Sequence, residues 1–115
     1  MHILITGANG FIGRHLIKKL IDEAESRGIS RITALDLSLE LVEDHPLIKK
    51  MSGSFADPEI LTSALEKYPA DCVFHLASVP SGLAQSNYSL GVNVNIQGTM
   101  ALLEKLNYIL NHILT

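Results

Sequence analysis

One short stretch constrains this chain more than any other: Thr6-Gly7-Ala8-Asn9-Gly10-Phe11-Ile12-Gly13, three glycines in a G-x-x-G-x-x-G array. Before it, Ile3, Leu4 and Ile5 form a short, wholly apolar run, as a strand covered on both faces requires. After it, Ile12, Leu16, Leu20 and Ala24 recur every four residues with Ile17 and Ile21 beside them. Lys18, Lys19, Asp22 and Glu25 lie opposite, which makes an amphipathic helix. Gly7 lets the chain turn sharply off the strand, Gly10 keeps side-chain atoms out of the space at the helix start, and Gly13 lets the helix lie close on the sheet. The N–H groups of Phe11 and Ile12 have no acceptor inside the helix, and the helix dipole makes their surroundings positive. Such a turn suits a pyrophosphate. The bland alternative is a strand-to-helix turn that merely contains three glycines. A nucleoside triphosphate P-loop is excluded, because Arg14 stands where a lysine would have to follow the last glycine.

The rest of the chain repeats the alternation. Gly28 suits a helix end, and Ile32 to Leu35 read as a second strand closing at Asp36. Leu37 to Asp44 is ambiguous, with a short helix as one reading, and Leu47 to Met51 is a strand candidate interrupted by Lys49 and Lys50. Asp57-Pro58 reads as an N-cap followed by proline at the first helical position, with Ile60, Leu61, Ala64 and Leu65 as the buried stripe, stopping near Tyr68-Pro69. Cys72 to Leu76 form a fourth strand, and from about Ser89 the pattern is helical again. Four strands alternating with helices predict an α/β domain with a parallel, doubly wound sheet.

With 115 residues there is room for one domain, so residues 1–115 are expected to be a single unit. A charge of -3 without a basic run predicts no nucleic acid partner and no membrane surface partner. Apolar stretches fall far short of a membrane span, and no secretory leader pattern follows Met1, so a cytoplasmic location is expected. Cys72 is the single cysteine, and no histidine pair has metal-ligand spacing, so no metal is expected.

Asp36 stands 23 residues after Gly13, near the spacing at which an acid meets the adenosine ribose of a bound dinucleotide. A carboxylate there accepts from ribose hydroxyls and repels a 2′-phosphate, which favours NAD over NADP. Asp36 could instead cap the turn that follows, and Arg14 could accommodate the extra phosphate.

These residues resemble the extended short-chain dehydrogenase/reductase family, the NAD-dependent epimerase/dehydratase group. The resemblance rests on Thr6-Gly7-x-x-Gly10-x-x-Gly13, Asp36, His75-Leu76-Ala77-Ser78 and Asn95-Ile96-Gln97-Gly98-Thr99 followed by Leu102-Leu103-Glu104. The stretch from His75 to Glu104 is most similar to the D-erythronate dehydrogenase branch. The resemblance implies a Rossmann-type sheet and NAD held by Gly7, Asn9, Gly10, Phe11, Ile12, Gly13, Asp36, Ser54, Phe55, Leu76, Ala77, Ser78 and Asn95. It implies a small-molecule substrate met near Ser78 and Ser81, and a supporting catalytic role for Asn95 beside the family's lysine. His75 reads as a core histidine, while Gly98 and Thr99 read as helix packing.

Two departures stand out. Gly53-Ser54 replaces the family's Gly-Asp, so an adenine contact there would be neutral. The family's Tyr-x-x-x-Lys pair is missing, since Cys72, Val92 and His112 stand four residues after the three tyrosines. The expectation is therefore a chain truncated before the catalytic residues and inactive alone, from an oxidoreductase acting on a hydroxyl of a small sugar acid such as D-erythronate. The alternatives are a nucleotide-sugar epimerase or dehydratase, and a non-catalytic dinucleotide-binding module or fragment. An incomplete sheet would expose an edge at its first or fourth strand, which leaves room for a homodimer.

Overall fold

The structure is a computed structural model that describes residues 1–77, 95 and 98–114, with side chains as far as Leu106 in the last helix. Its elements in order are β1 (His2–Thr6), α1 (Phe11–Asp22), α2 (Ala24–Arg27), β2 (Arg31–Asp36), β3 (Ile48–Ser52), α3 (Pro58–Leu65), β4 (Cys72–His75) and α4 (Thr99–Leu114). The four strands form one parallel sheet in the order β3-β2-β1-β4. All five residues of β1 are buried, as the central place of that strand demands.

Successive side chains of a strand point to opposite faces, and β1 shows the result. Ile3 and Ile5 join Ile17 and Leu20 of α1 and Ile32 and Ala34 of β2 in one core. Leu4 points the other way, into a second core with Leu35, Leu61 and Leu65 of α3 and Leu102 of α4. Helices thus cover both faces, the doubly wound arrangement expected from the alternation. Leu4 is fully buried, and that burial alone stabilises the fold by about 1.5–3 kcal/mol.

Asp57 caps α3 as its spacing predicts, its carboxylate accepting from the Glu59 N–H at 2.9 Å with Pro58 at the first helical position. Gly28 closes α2 in the left-handed region at φ 67°.

Four local expectations need correction. Leu37–Asp44 forms turns rather than a helix, so β2 connects to β3 without one. The reason lies elsewhere in the chain: the Asn9 side-chain oxygen accepts from the Leu41 N–H at 2.8 Å, and Lys50 Nζ donates to the Val42 carbonyl at 2.7 Å. The helix after the glycine turn breaks at Glu23, where φ is -102° and ψ 6°. Helix α3 ends at Leu65, short of Tyr68. Among the described residues the sheet ends at β3 and β4, so the fourth strand is an edge as expected and the first is not, because β1 has a partner on each side.

Candidate functional site

The chain steps from β1 to β2 to β3 on one side, then crosses back to lay β4 on the other side of β1. In sheets of this kind ligands bind beyond the carboxyl ends of the strands at such a reversal, which here lies between β1 and β4. The glycine turn leaves β1 at that end. Gly7 has φ +73°, and a Cβ built there would lie 2.7 Å from the Ala77 nitrogen and 2.8 Å from the Leu76 carbonyl carbon. A side chain at this position is therefore opposed both by backbone conformation and by the end of β4. Gly7 and Ala8 donate to the Leu35 carbonyl at 2.9 and 3.3 Å, which fixes the turn on β2. Gly13 faces the carbonyl of Gly7 and the backbone of Ala8, so it brings α1 against the turn itself rather than against the sheet as expected.

Gly10 is the N-cap of α1 in extended backbone (φ -73°, ψ 171°), with no side-chain hydrogen bond and no acid in the first helical turn. The first-turn N–H groups at Phe11 and Ile12 thus keep the positive end of the helix uncompensated. Both residues are open to solvent, 71% and 66% exposed. A Cβ added at Gly10 would meet only the Gly7 carbonyl oxygen, at 3.4 Å. The space above is a cradle that a side chain would fill, and its donors fit a diphosphate.

Asp36 ends β2 beside this cradle. Its carboxylate accepts from the Asn9 N–H at 2.9 Å and from the Leu37 N–H at 2.7 Å, one bond to each oxygen. Each oxygen keeps a further lone pair, so the carboxylate is oriented but still able to accept. The capping alternative for Asp36 is therefore met in part, and it does not consume the group. Asn9 is a hub, since its side chain also holds Leu41 and its carbonyl accepts from Arg14 Nε at 3.2 Å.

Ser54 Oγ accepts from the Ala56 N–H at 3.1 Å, a local turn leading into α3. Phe55 is 5% exposed and belongs to the core with Leu4 and Leu61. Leu76 and Ala77 sit at the end of β4 and donate to Thr6, at its carbonyl (3.1 Å) and its hydroxyl (3.2 Å). Asn95 is half-buried. Ser78 and Ser81 lie outside the described residues.

His75, read from sequence as a core histidine without a nameable partner, has two. Its Nδ1 lies 2.6 Å from Thr6 Oγ1, and its Nε2 lies 3.0 Å from Thr99 Oγ1. Thr6 Oγ1 accepts from the Ala77 N–H and keeps one proton and one lone pair, and Thr99 Oγ1 likewise can give or take a proton, so a neutral ring satisfies both contacts in either tautomer. Burial lowers the His75 pKa below the usual histidine value, in keeping with a neutral ring. Phe55 packs edge-on against that ring, 4.6 Å between centroids. Gly98 serves packing as expected, because a Cβ there would meet Ala56 and Phe55 within 3 Å. The Thr6–His75–Thr99 chain spans β1, β4 and α4, and no sequence motif announces it. Among the described residues no group of His, Cys, Asp and Glu could hold a metal ion, and no helix is long and apolar enough to cross a membrane.

Residues 3–109 match the NAD dependent epimerase/dehydratase family. D-erythronate dehydrogenase of Cupriavidus necator is 34% identical over 110 residues, covering 90% of this chain and 34% of that protein. The UDP-glucose 4-epimerase of Thermotoga maritima, solved with UDP-glucose, superposes with a TM-score of 0.80 at 27% identity over 95% of this chain and 35% of that one. The Thermus thermophilus UDP-glucose 4-epimerase complex with NAD gives a TM-score of 0.77 at 26% identity, covering 95% of this chain and 34% of that one. The chain thus spans about a third of the length of the relatives it matches.

Proposed function

The chain belongs to the NAD dependent epimerase/dehydratase family, and from that premise we propose that it forms the NAD-binding part of an oxidoreductase that oxidises a hydroxyl of a small sugar acid such as D-erythronate. The observation that carries the reading is the open cradle over Gly10, with uncompensated N–H groups at Phe11 and Ile12 and an oriented carboxylate at Asp36 beside it. In this reading the two amides and the helix dipole hold the pyrophosphate, and Asp36 accepts from the adenosine ribose hydroxyls through its remaining lone pairs. Asn9 holds both the turn and Asp36 in place. Ser54 can turn its hydroxyl proton to the adenine, and Phe55 offers its backbone there. Leu76, Ala77 and Ser78 border the nicotinamide side, with Ser78 and Ser81 toward the substrate and Asn95 in support. Bound NAD supplies a hydride acceptor. The residues that move the substrate's proton belong to the remainder of a longer protein, and the present chain alone is expected not to turn over.

The solved UDP-glucose epimerases favour a second reading, a nucleotide-sugar epimerase or dehydratase using the same cofactor site. The 34% identity to D-erythronate dehydrogenase supports the sugar-acid reading. One experiment separates them: the longer protein is mixed with NAD and either D-erythronate or UDP-glucose while NADH absorbance is followed. Net NADH with the sugar acid is expected. Conversion of UDP-glucose without NADH accumulation would favour the epimerase, and calorimetry showing no NAD binding would refute both.

A further inference from the structure

At the rim where the strands begin, opposite the glycine turn, a cavity of about 440 Å³ opens among the starts of β1, β2 and β3 and the segment that enters β4. His2, Arg31, Lys49, Lys67, Tyr68 and Asp71 lie in its wall. Three of these carry positive charge and one negative, in a chain whose net charge is -3, so the local sign is the reverse of the whole. The Arg31 guanidinium carbon lies 4.0 Å from the Tyr68 ring centroid, and Lys67 Nζ lies 5.6 Å from it. An aromatic face attracts both cations without neutralising either.

The contrast with the other two arginines is instructive. Arg27 is paired with Glu23 at 2.6 Å, and Arg14 Nε donates to a carbonyl. Arg31 forms no ion pair among the described residues, and its Nε is buried without an acceptor. An unsatisfied donor on a permanently charged group destabilises the fold, and an anion beside the guanidinium would offset its uncompensated charge. Asp71 already accepts the His2 backbone N–H at 2.7 Å. His2 adds no charge of its own: its Nδ1–H donates to the Tyr68 carbonyl at 2.8 Å, its Nε2 lies 2.7 Å from Thr33 Oγ1, and burial holds its pKa below the usual value.

We propose that this cavity is an anion site for a phosphate group, held by Arg31 and Lys67 on the Tyr68 face with Lys49 at the rim. The planar guanidinium fork matches two phosphate oxygens at once, and the local excess of positive charge suits a dianion. Inorganic phosphate and the phosphate of a small organic ester share this chemistry.

The test follows the arginine Nε–Hε resonances of the 15N-labelled longer protein during titration with inorganic phosphate and, separately, glycerol 3-phosphate, with sodium chloride at matched ionic strength as control. A saturable shift at Arg31 is expected, with Arg27 unmoved. Arg31→Gln should weaken the affinity at least about tenfold, and Lys67→Gln a few-fold. Tighter binding of glycerol 3-phosphate would identify an ester as the preferred form, and equal binding would identify the phosphate group alone; both support the site. The proposal is overturned by a shift that chloride reproduces, by the absence of any shift at Arg31, or by unchanged affinity in Arg31→Gln. Phosphate entering the glycine turn instead would move the Phe11 and Ile12 amides, and movement there alone also overturns it. The wild-type resonance decides the matter even if a variant fails to fold.

Discussion

The glycine turn yields a prediction that separates architecture from binding within four residues. At Gly7 the backbone has φ +73°, and an added methyl group would sit 2.7 Å from the Ala77 nitrogen and 2.8 Å from the Leu76 carbonyl carbon. Left-handed backbone costs an L-residue about 1–2 kcal/mol. The overlap falls on main-chain atoms that cannot rotate away, so it adds an overpacking cost of about 1–3 kcal/mol. Gly7→Ala should therefore lose about 2–5 kcal/mol, a large part of the ~5–15 kcal/mol typical of a domain. Gly10→Ala places its methyl group in extended backbone, with one neighbour at 3.4 Å. Its stability should stay within about 1 kcal/mol of the parent, while the methyl group intrudes on the phosphate cradle and weakens NAD binding about tenfold or more. Urea unfolding with a common slope gives the first quantity, and calorimetric titration with NAD the second. Equal destabilisation by the two substitutions, or a loss below about 1 kcal/mol for Gly7→Ala, would refute the reasoning.

Three further outcomes are expected. Asp36→Ala should weaken NAD binding about tenfold and narrow the preference for NAD over NADP, measured by parallel titrations; an unchanged ratio would remove Asp36 from the ribose. Stability should fall with acid. Burial lowers the pKa of both His2 and His75, so below the usual value of 6.5 the unfolded chain binds more protons than the folded one. This contribution is complete above pH 6.5 and is lost as the pH drops through that value toward the folded pKa values, so unfolding midpoints at pH 7.5 and 5.5 should differ, and equal midpoints would contradict it. Asp57→Ala removes the cap of α3 and should cost about 1 kcal/mol in the same unfolding assay.

How much of this was legible in the sequence depends on how local each determinant is. The turn, the first strand, the position of Asp36 and the Asp57-Pro58 cap are written in runs of a few residues, and the structure places them as read. Leu37–Asp44 was not legible, because Leu37, Leu41 and Val42 suit a helix and the bonds that prevent it come from Asn9 and Lys50. The break at Glu23 was equally hidden, since its neighbours continue the helical period and Lys19 and Arg27 both pair with the Glu23 carboxylate. For His75 the residue type suggested a core place, but its partners stand 69 residues before it and 24 after, beyond the reach of any spacing rule. Charge read along the chain shows no basic run, and only the meeting of β2, β3 and the segment before β4 assembles Arg31, Lys49 and Lys67.

In a parallel sheet every strand departs from one shore and lands on the other. His2 and Thr6 terminate the same five-residue strand, about 13 Å apart at the usual rise, so a ligand held at the departing shore and a coenzyme held at the landing one share a spine without touching. Substitutions at the two shores should combine additively, and each can be altered while the other serves as its internal standard.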